Sequence, residues 1–206
     1  MIKFLATLMW LLNSLVCRTL RYRIIGEVPK RNALFALWHG QNFPLFYWAR
    51  CMDLLLLPID NWRGDILDFL AKQYGYETVR LPVSGTPFQH GKSIIKLIET
   101  LKEGQHIALA VDGPPPPHKN HKAKAGILYL AEKTSHPIVP VGIKMMHSLK
   151  LFWRWDKYEI PLPFSEVRIA FGDHLFIAET IKPEELPKMV GDLEERIRLT
   201  ELKAAL

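Results

Sequence analysis

Short, almost unbroken apolar runs alternate with amphipathic segments along most of this 206-residue chain, and that rhythm restricts the fold more than any other feature. Runs such as LLLLPI at 54–59 and HIALAV at 106–111 have no polar face, as expected of strands covered on both sides by helices. The pattern predicts strands over 34–38, 54–59, 77–81, 106–111, 138–144 and 167–171. It predicts helices over 42–49, 65–74, 90–102, 125–134 and 184–202. Gly75, Gly104 and Pro183 fall near the proposed helix ends, where such residues act as stops. The length suits one domain, and neither a repeat nor a long linker interrupts it. The expected class is α/β: a single domain with a mostly parallel central sheet flanked by helices.

The N-terminal stretch stands apart from this rhythm. Residues 1–23 carry Phe4, Leu5, Leu8, Met9, Leu11, Leu12, Leu15 and Val16, with Lys3, Thr7, Ser14, Arg18 and Arg21 at helical spacing on one narrow stripe. Such a helix suits the headgroup boundary of a bilayer, with Trp10 and the arginines at its edge. Charge supports that reading. Lys3, Arg18, Arg21, Arg23, Lys30, Arg31 and Arg50 face only Glu27 in the first 50 residues, while the remaining chain is balanced. A basic excess at one end marks an anionic partner, and its long aliphatic neighbours favour an anionic membrane surface over nucleic acid. A signal peptide lacks its small-x-small cleavage site here, and Val16 is a poor residue before a lipidated Cys17. An ordinary buried helix stays open, with one face on the core and one on lipid. No uninterrupted apolar run reaches about 18 residues, which excludes a polytopic membrane protein. Cys17 and Cys51 make no disulfide framework.

In sheets of the expected kind the chemistry gathers where strands end. LFALW runs into His39-Gly40-Gln41-Asn42, and LLLLPI into Asp60-Asn61-Trp62-Arg63-Gly64-Asp65. TVRL leads to Pro82-Val83-Ser84-Gly85-Thr86, and IALAV to Asp112-Gly113-Pro114. One rim could thus present a histidine, carboxylates, an arginine and a Ser-Gly turn. A histidine whose tautomer a carboxylate holds is common machinery for taking a proton from a hydroxyl. Against this, a lone His39 reads as structural, and Asp-Gly-Pro as a plain turn. His118 and His121 lack the further ligands of a zinc site, and Gly91-Lys92-Ser93 lacks the context of a phosphate loop. No metal or cofactor is expected. The aromatic cluster Phe152, Trp153 and Trp155 with Arg154 suits either membrane contact or core packing.

His39 after a buried strand, Arg80 after Gly75, Asp112-Gly113-Pro114, Lys124-Ala125-Gly126 and Ile138-Val139-Pro140-Val141-Gly142 fall in an order that resembles the lysophospholipid acyltransferase-like superfamily, over about residues 30–175. The resemblance is strongest to a small bacterial branch, of Trp-His-Gly and Asp-Gly-Pro type, that includes late acyltransferases of lipid A. The stretch from Trp155-Asp156-Lys157 to Phe164-Ser165 is similar to that branch too. The resemblance implies an acyltransferase-like domain over 24–206, on the cytoplasmic face of the inner membrane. It would move a fatty acyl group from acyl carrier protein or acyl-CoA to a hydroxyl of a lipid acceptor, a lysophospholipid or lipid A precursor. Carried over, His39 is the general base and Arg80 meets the acceptor's phosphate, with Ser84 and Lys124 near it and Arg63 on the same rim. Backbone N–H groups around Gly113 are candidates to stabilise the oxyanion.

Two departures qualify the match. The superfamily's aspartate five residues after its histidine is here Pro44, so another acid must orient the base. Asp112 is the first choice, with Asp60 and Asp65 as alternatives. The branch also continues Asp-Gly-Pro with arginine and glycine, where this chain has Pro115 and Pro116; Lys119, Lys122 and Lys124 could restore the charge. The competing class is a non-enzymatic, peripheral membrane lipid-binding protein with a degenerate acyltransferase site.

Overall fold

The computed structural model describes residues 2–30, 32–81, 95–99, 101, 103–113, 121–177 and 180–206. Its chain order is α1 (Ile2–Thr19), β1 (Arg21–Ile25), β2 (Leu34–Leu37), α2 (Leu45–Trp48), β3 (Leu54–Leu56), α3 (Trp62–Gln73), β4 (Glu77–Thr78), β5 (His106–Ala110), α4 (Gly126–Thr134), β6 (Ile138–Met145), β7 (Ser148–Lys150), β8 (Glu159–Pro161), β9 (Glu166–Phe171) and α5 (Leu186–Ala205). Residues 95–99 and 101 are also helical, inside the stretch expected as helix.

Seven strands form one sheet in the order β1-β9-β6-β2-β5-β3-β4. From β6 to β4 every pairing is parallel, while β9 runs antiparallel to β6 and carries β1 parallel on its outer edge. The expected class is therefore the observed one. Side chains of β2 alternate between two cores, as a period of 2 requires. Phe35 and Leu37 join Val139, Val141, Ile169 and Phe171 beneath α1 and α3. Leu34, Ala36 and Trp38 join Ile107, Ile127, Leu193 and Ile197 on the opposite face.

Two local arrangements bring parts of the site together. Asn61 caps α3, its side-chain oxygen accepting from the N–H groups of Arg63 and Gly64, the usual way of satisfying first-turn donors. On the other face α5 lies close over β6 and β9. A Cβ on Gly142 would fall 2.4 Å from the Thr200 carbonyl carbon, so glycine permits the approach that brings Glu201 to Trp38.

The N-terminal expectation needs two corrections. Its helix ends at Thr19, and Arg21 and Arg23 stand exposed on β1, paired with β9. The helix is also turned with a polar side inward. Asn13 is buried, donating to the Phe43 carbonyl and accepting from the Tyr74 hydroxyl, while Phe4, Leu8, Leu11, Leu12 and Leu15 face outward. Since Lys3 and Arg18 sit at its ends, α1 is long and apolar enough to cross a membrane by length and composition, and only 28% of it is buried. Burial pushes the Cys17 thiol up to about 12, against a hydrogen bond with Tyr22.

Candidate active site

His39 follows the buried Trp38 where β2 ends and opens a single 3-10 turn, His39–Gln41. Three groups fix that turn. Trp38 Nε1 and Gln41 Nε2 donate to the two carboxylate oxygens of Glu201, at 3.2 and 2.8 Å. The His39 backbone N–H donates to Asp112 Oδ1 at 2.8 Å. Asp112 is wholly buried at the end of β5 and also accepts from the His121 N–H at 3.4 Å. Burial pushes its carboxyl up, and the hydrogen bonds from the His39 and His121 backbones oppose the rise.

The ring of His39 meets a different acid. Nδ1 lies 2.7 Å from Asp156 Oδ2. Asp156 comes from the turn between β7 and β8, 117 residues along the chain. Its side chain is buried, and Arg154 grips it at both oxygens, Nε at 2.9 Å and Nη2 at 2.8 Å. Burial alone would raise this carboxyl, but the bonds from His39 and Arg154 and the guanidinium charge outweigh it and hold the group well below the usual range. An ionised carboxylate only accepts, so Nδ1 is the donor, and in the neutral form of the ring Nε2 is the acceptor. Gly40 makes the approach possible, because a Cβ there would fall 2.1 Å from the Asp156 carbonyl oxygen.

Asp112 thus does not hold the imidazole as expected; it holds the main chain that carries it. The alternative acids Asp60 and Asp65 are also displaced from that task. At the β3 end, with β5 between them and β2, they turn to Arg80, whose guanidinium lies 2.8 Å from Asp65 and 3.6 Å from both Asp60 and Asp68. Arg80 is therefore ion-paired with three aspartates while its side chain stays 35% exposed. Arg63 is exposed in the first turn of α3 with its guanidinium 5.3 Å from the centre of the Trp62 ring. Ser84, His118, Lys119 and the prolines 115 and 116 lie outside the described residues.

Gly113 keeps its place beside the histidine, a Cβ there falling 3.6 Å from His39 Cδ2. Its own N–H donates to the Ala110 carbonyl at 3.0 Å, so that donor is occupied by the turn. Its carbonyl receives the Lys124 ammonium instead. This sets a cation near Asp112, where burial pulls its pKa down against the attraction of that acid. Lys122 pairs with Glu194 at 3.0 Å. His121 stacks on Trp38, ring centres 4.9 Å apart, and among the described residues no cluster of three metal-ligating side chains occurs.

Pro44, where an aspartate was missing, immediately precedes α2; its carbonyl accepts from the Trp48 N–H and from the Tyr22 hydroxyl. The residue that local reading missed is Asp156. It belongs to a stretch that carried the family resemblance, but only the fold brings it to His39.

No family model matches the chain. Over 174 residues it is 26% identical to an uncharacterized protein of Rickettsia prowazekii (strain Madrid E), covering 82% of this chain and 76% of that protein. In fold it is similar to the crystal structure of the 1-acyl-sn-glycerophosphate (LPA) acyltransferase PlsC of Thermotoga maritima. That likeness has a TM-score of 0.57 at 17% identity and covers 98% of this chain and 81% of the other.

Proposed function

We propose that this protein is an acyltransferase that moves a fatty acyl group from a thioester to a hydroxyl of a membrane lipid. The observation that carries the reading is the 2.7 Å contact of His39 Nδ1 with buried Asp156, at the strand-end rim of a PlsC-like sheet. With Nδ1 so engaged, Nε2 accepts the proton of the acceptor hydroxyl while its oxygen attacks the thioester carbonyl. The tetrahedral intermediate collapses by breaking the carbon–sulfur bond, and the leaving thiolate recovers the proton from Nε2. The products are an ester and a thiol. Asp156 orients the ring and offsets the imidazolium charge that forms in between. The Lys124 ammonium, beside Gly113, is the nearby cation best suited to oppose the oxyanion.

The donor class is an acyl carrier protein or acyl-CoA thioester. The acceptor is a lysophospholipid or a lipid A precursor, the first supported by the name of the fold neighbour and the second by the motif resemblance. Because Arg80 already answers three aspartates, an acceptor phosphate would have to compete with them there. The outward apolar side of α1, with Lys3 and Arg18 at its ends, supports docking on the anionic cytoplasmic face of the inner membrane.

Acyl transfer measured with both donors and both acceptors tests the reading. His39→Ala should keep a cooperative melt and lose about 100-fold or more in rate, the usual share of a general base. Wild-type turnover in a folded His39→Ala protein would end it.

A further inference from the structure

The turn that delivers Asp156 has two unlike sides. Its inner side is fixed at the site. Asp156 is held by His39 and Arg154, the Trp155 ring stands 5.4 Å from the His39 ring, and the Tyr158 hydroxyl donates to Asn42 Oδ1 at 2.8 Å. The backbone of residues 151–158 is closed on itself. The Leu151 N–H donates to the Tyr158 carbonyl at 2.8 Å, Arg154 to Leu151 at 3.1 Å, and Lys157 to Arg154 at 3.1 Å. Its outer side ends in Phe152 and Trp153, which are 73% and 80% exposed.

Two large rings side by side at the tip of a tightly closed turn are costly in water and suited to a boundary between water and an apolar phase. The charges nearby indicate which boundary. Lys144, Lys150, Arg154 and Lys157 are exposed around the hairpin; Arg154 and Lys150 offset Asp156 and Glu159, so Lys144 and Lys157 make the surplus charge positive. Basic side chains beside exposed aromatics fit an anionic headgroup layer. The base of the hairpin is also joined to the end of α1. The N–H of exposed Phe164 donates to Thr19 Oγ1 at the end of α1, and that of exposed Leu162 to the His147 carbonyl at the base of the hairpin.

We propose that the 151–158 turn is a second docking element for an anionic lipid surface, with Phe152 and Trp153 entering the headgroup layer, and that this contact steadies the carboxylate orienting His39. The docking half stands on the surface alone. The coupling to turnover rests on the acyltransfer reading above.

The test uses the full chain and vesicles of phosphatidylcholine with or without phosphatidylglycerol, a fraction of the lipid being brominated to quench tryptophan. The chain has six tryptophans, so the signal is the difference between wild type and Trp153→Phe, which keeps an apolar ring. With anionic vesicles, wild type should show a quenched component that Trp153→Phe lacks. Absence of that component while the protein sediments with the vesicles overturns the docking. Phe152→Ser/Trp153→Ser should bind about tenfold or more weakly, equivalent to about 1.4 kcal/mol. At saturating vesicles it should turn over a vesicle-embedded acceptor several-fold more slowly, yet match wild type on a dispersed short-chain acceptor. Equal turnover on saturating vesicles would overturn the coupling. If wild type transfers no acyl group to any acceptor, the enzyme reading fails, and the quenching still decides the docking.

Discussion

Asp112 holds the main chain of His39 and Asp156 holds its ring, so the two carboxylates should respond differently to loss of charge. Asp156→Asn puts an amide between an imidazole Nδ1–H and the Arg154 guanidinium, where one side must face a donor with a donor. Turnover should fall by about 10²–10⁴, as when an orienting acid is lost, with a smaller change in the urea midpoint. Asp112→Asn should do the reverse. It weakens the support of a buried N–H, costing about 1–3 kcal/mol of stability, and lowers turnover less than Asp156→Asn does. Paired kcat and denaturation measurements separate the two, and an Asp156→Asn protein with wild-type kcat would remove Asp156 from the mechanism. Strand-end reading placed His39, Asp112 and Gly113 together because each closely follows its strand. It could not find the His39–Asp156 pair, since no spacing rule joins positions 117 apart. Asp60 and Asp65 misled for a related reason: their sequence neighbours place them on the rim, but strand order places them by Arg80.

At the scale of elements, long apolar runs were legible, and of the short mixed ones β9 and the start of β4 were, while β1, β7 and β8 were not. The buried strands β2, β3, β5 and β6 announce themselves by composition, whereas β1 reads Arg-Tyr-Arg-Ile-Ile and passes for the basic tail of a helix. Its strand state comes from pairing with β9, a tertiary term that local propensity does not contain. In α1 the sequence correctly suggested a narrow polar stripe, but not that part of its polar side turns inward. That orientation yields a sharp prediction. Leu8 and Leu12 are 53% and 52% exposed, so Leu8→Glu/Leu12→Glu should leave the melt nearly unchanged while abolishing co-sedimentation with anionic vesicles. In wild type, co-sedimentation should fall without vanishing as salt rises. Salt screens the contribution of Lys3 and Arg18, about 1 kcal/mol each, and leaves the apolar part intact. Loss of folding in the double variant would instead show that this side is covered by protein.

For the whole molecule, stability should depend on acid through His106 at the start of β5. Its ring is buried against Phe35, centres 5.0 Å apart, and Nδ1 accepts from the Ala33 N–H at 3.3 Å. Burial pulls its pKa below the ordinary 6.5, against the attraction of Asp53. The folded protein therefore takes up this proton less readily than the unfolded chain, and stability rises with pH. The contribution is complete above about pH 6.5 and is lost progressively as pH falls from there towards the lowered folded value. Urea midpoints between pH 7.5 and 5 should show the loss, and His106→Gln should flatten that limb while lowering the plateau. A limb unchanged in His106→Gln assigns it to other groups. The sheet edge also has a consequence in time. Thr19 and Phe164, which are bonded where α1 meets the sheet, are 145 residues apart, and β1 finds its strand partner only when β9 has been made. At about 5–20 residues per second, a ribosome takes on the order of 7–30 s between them. For that interval α1 can meet Phe43 and Tyr74 but no sheet edge, so its outward apolar side is open to a bilayer or a chaperone before the sheet is closed.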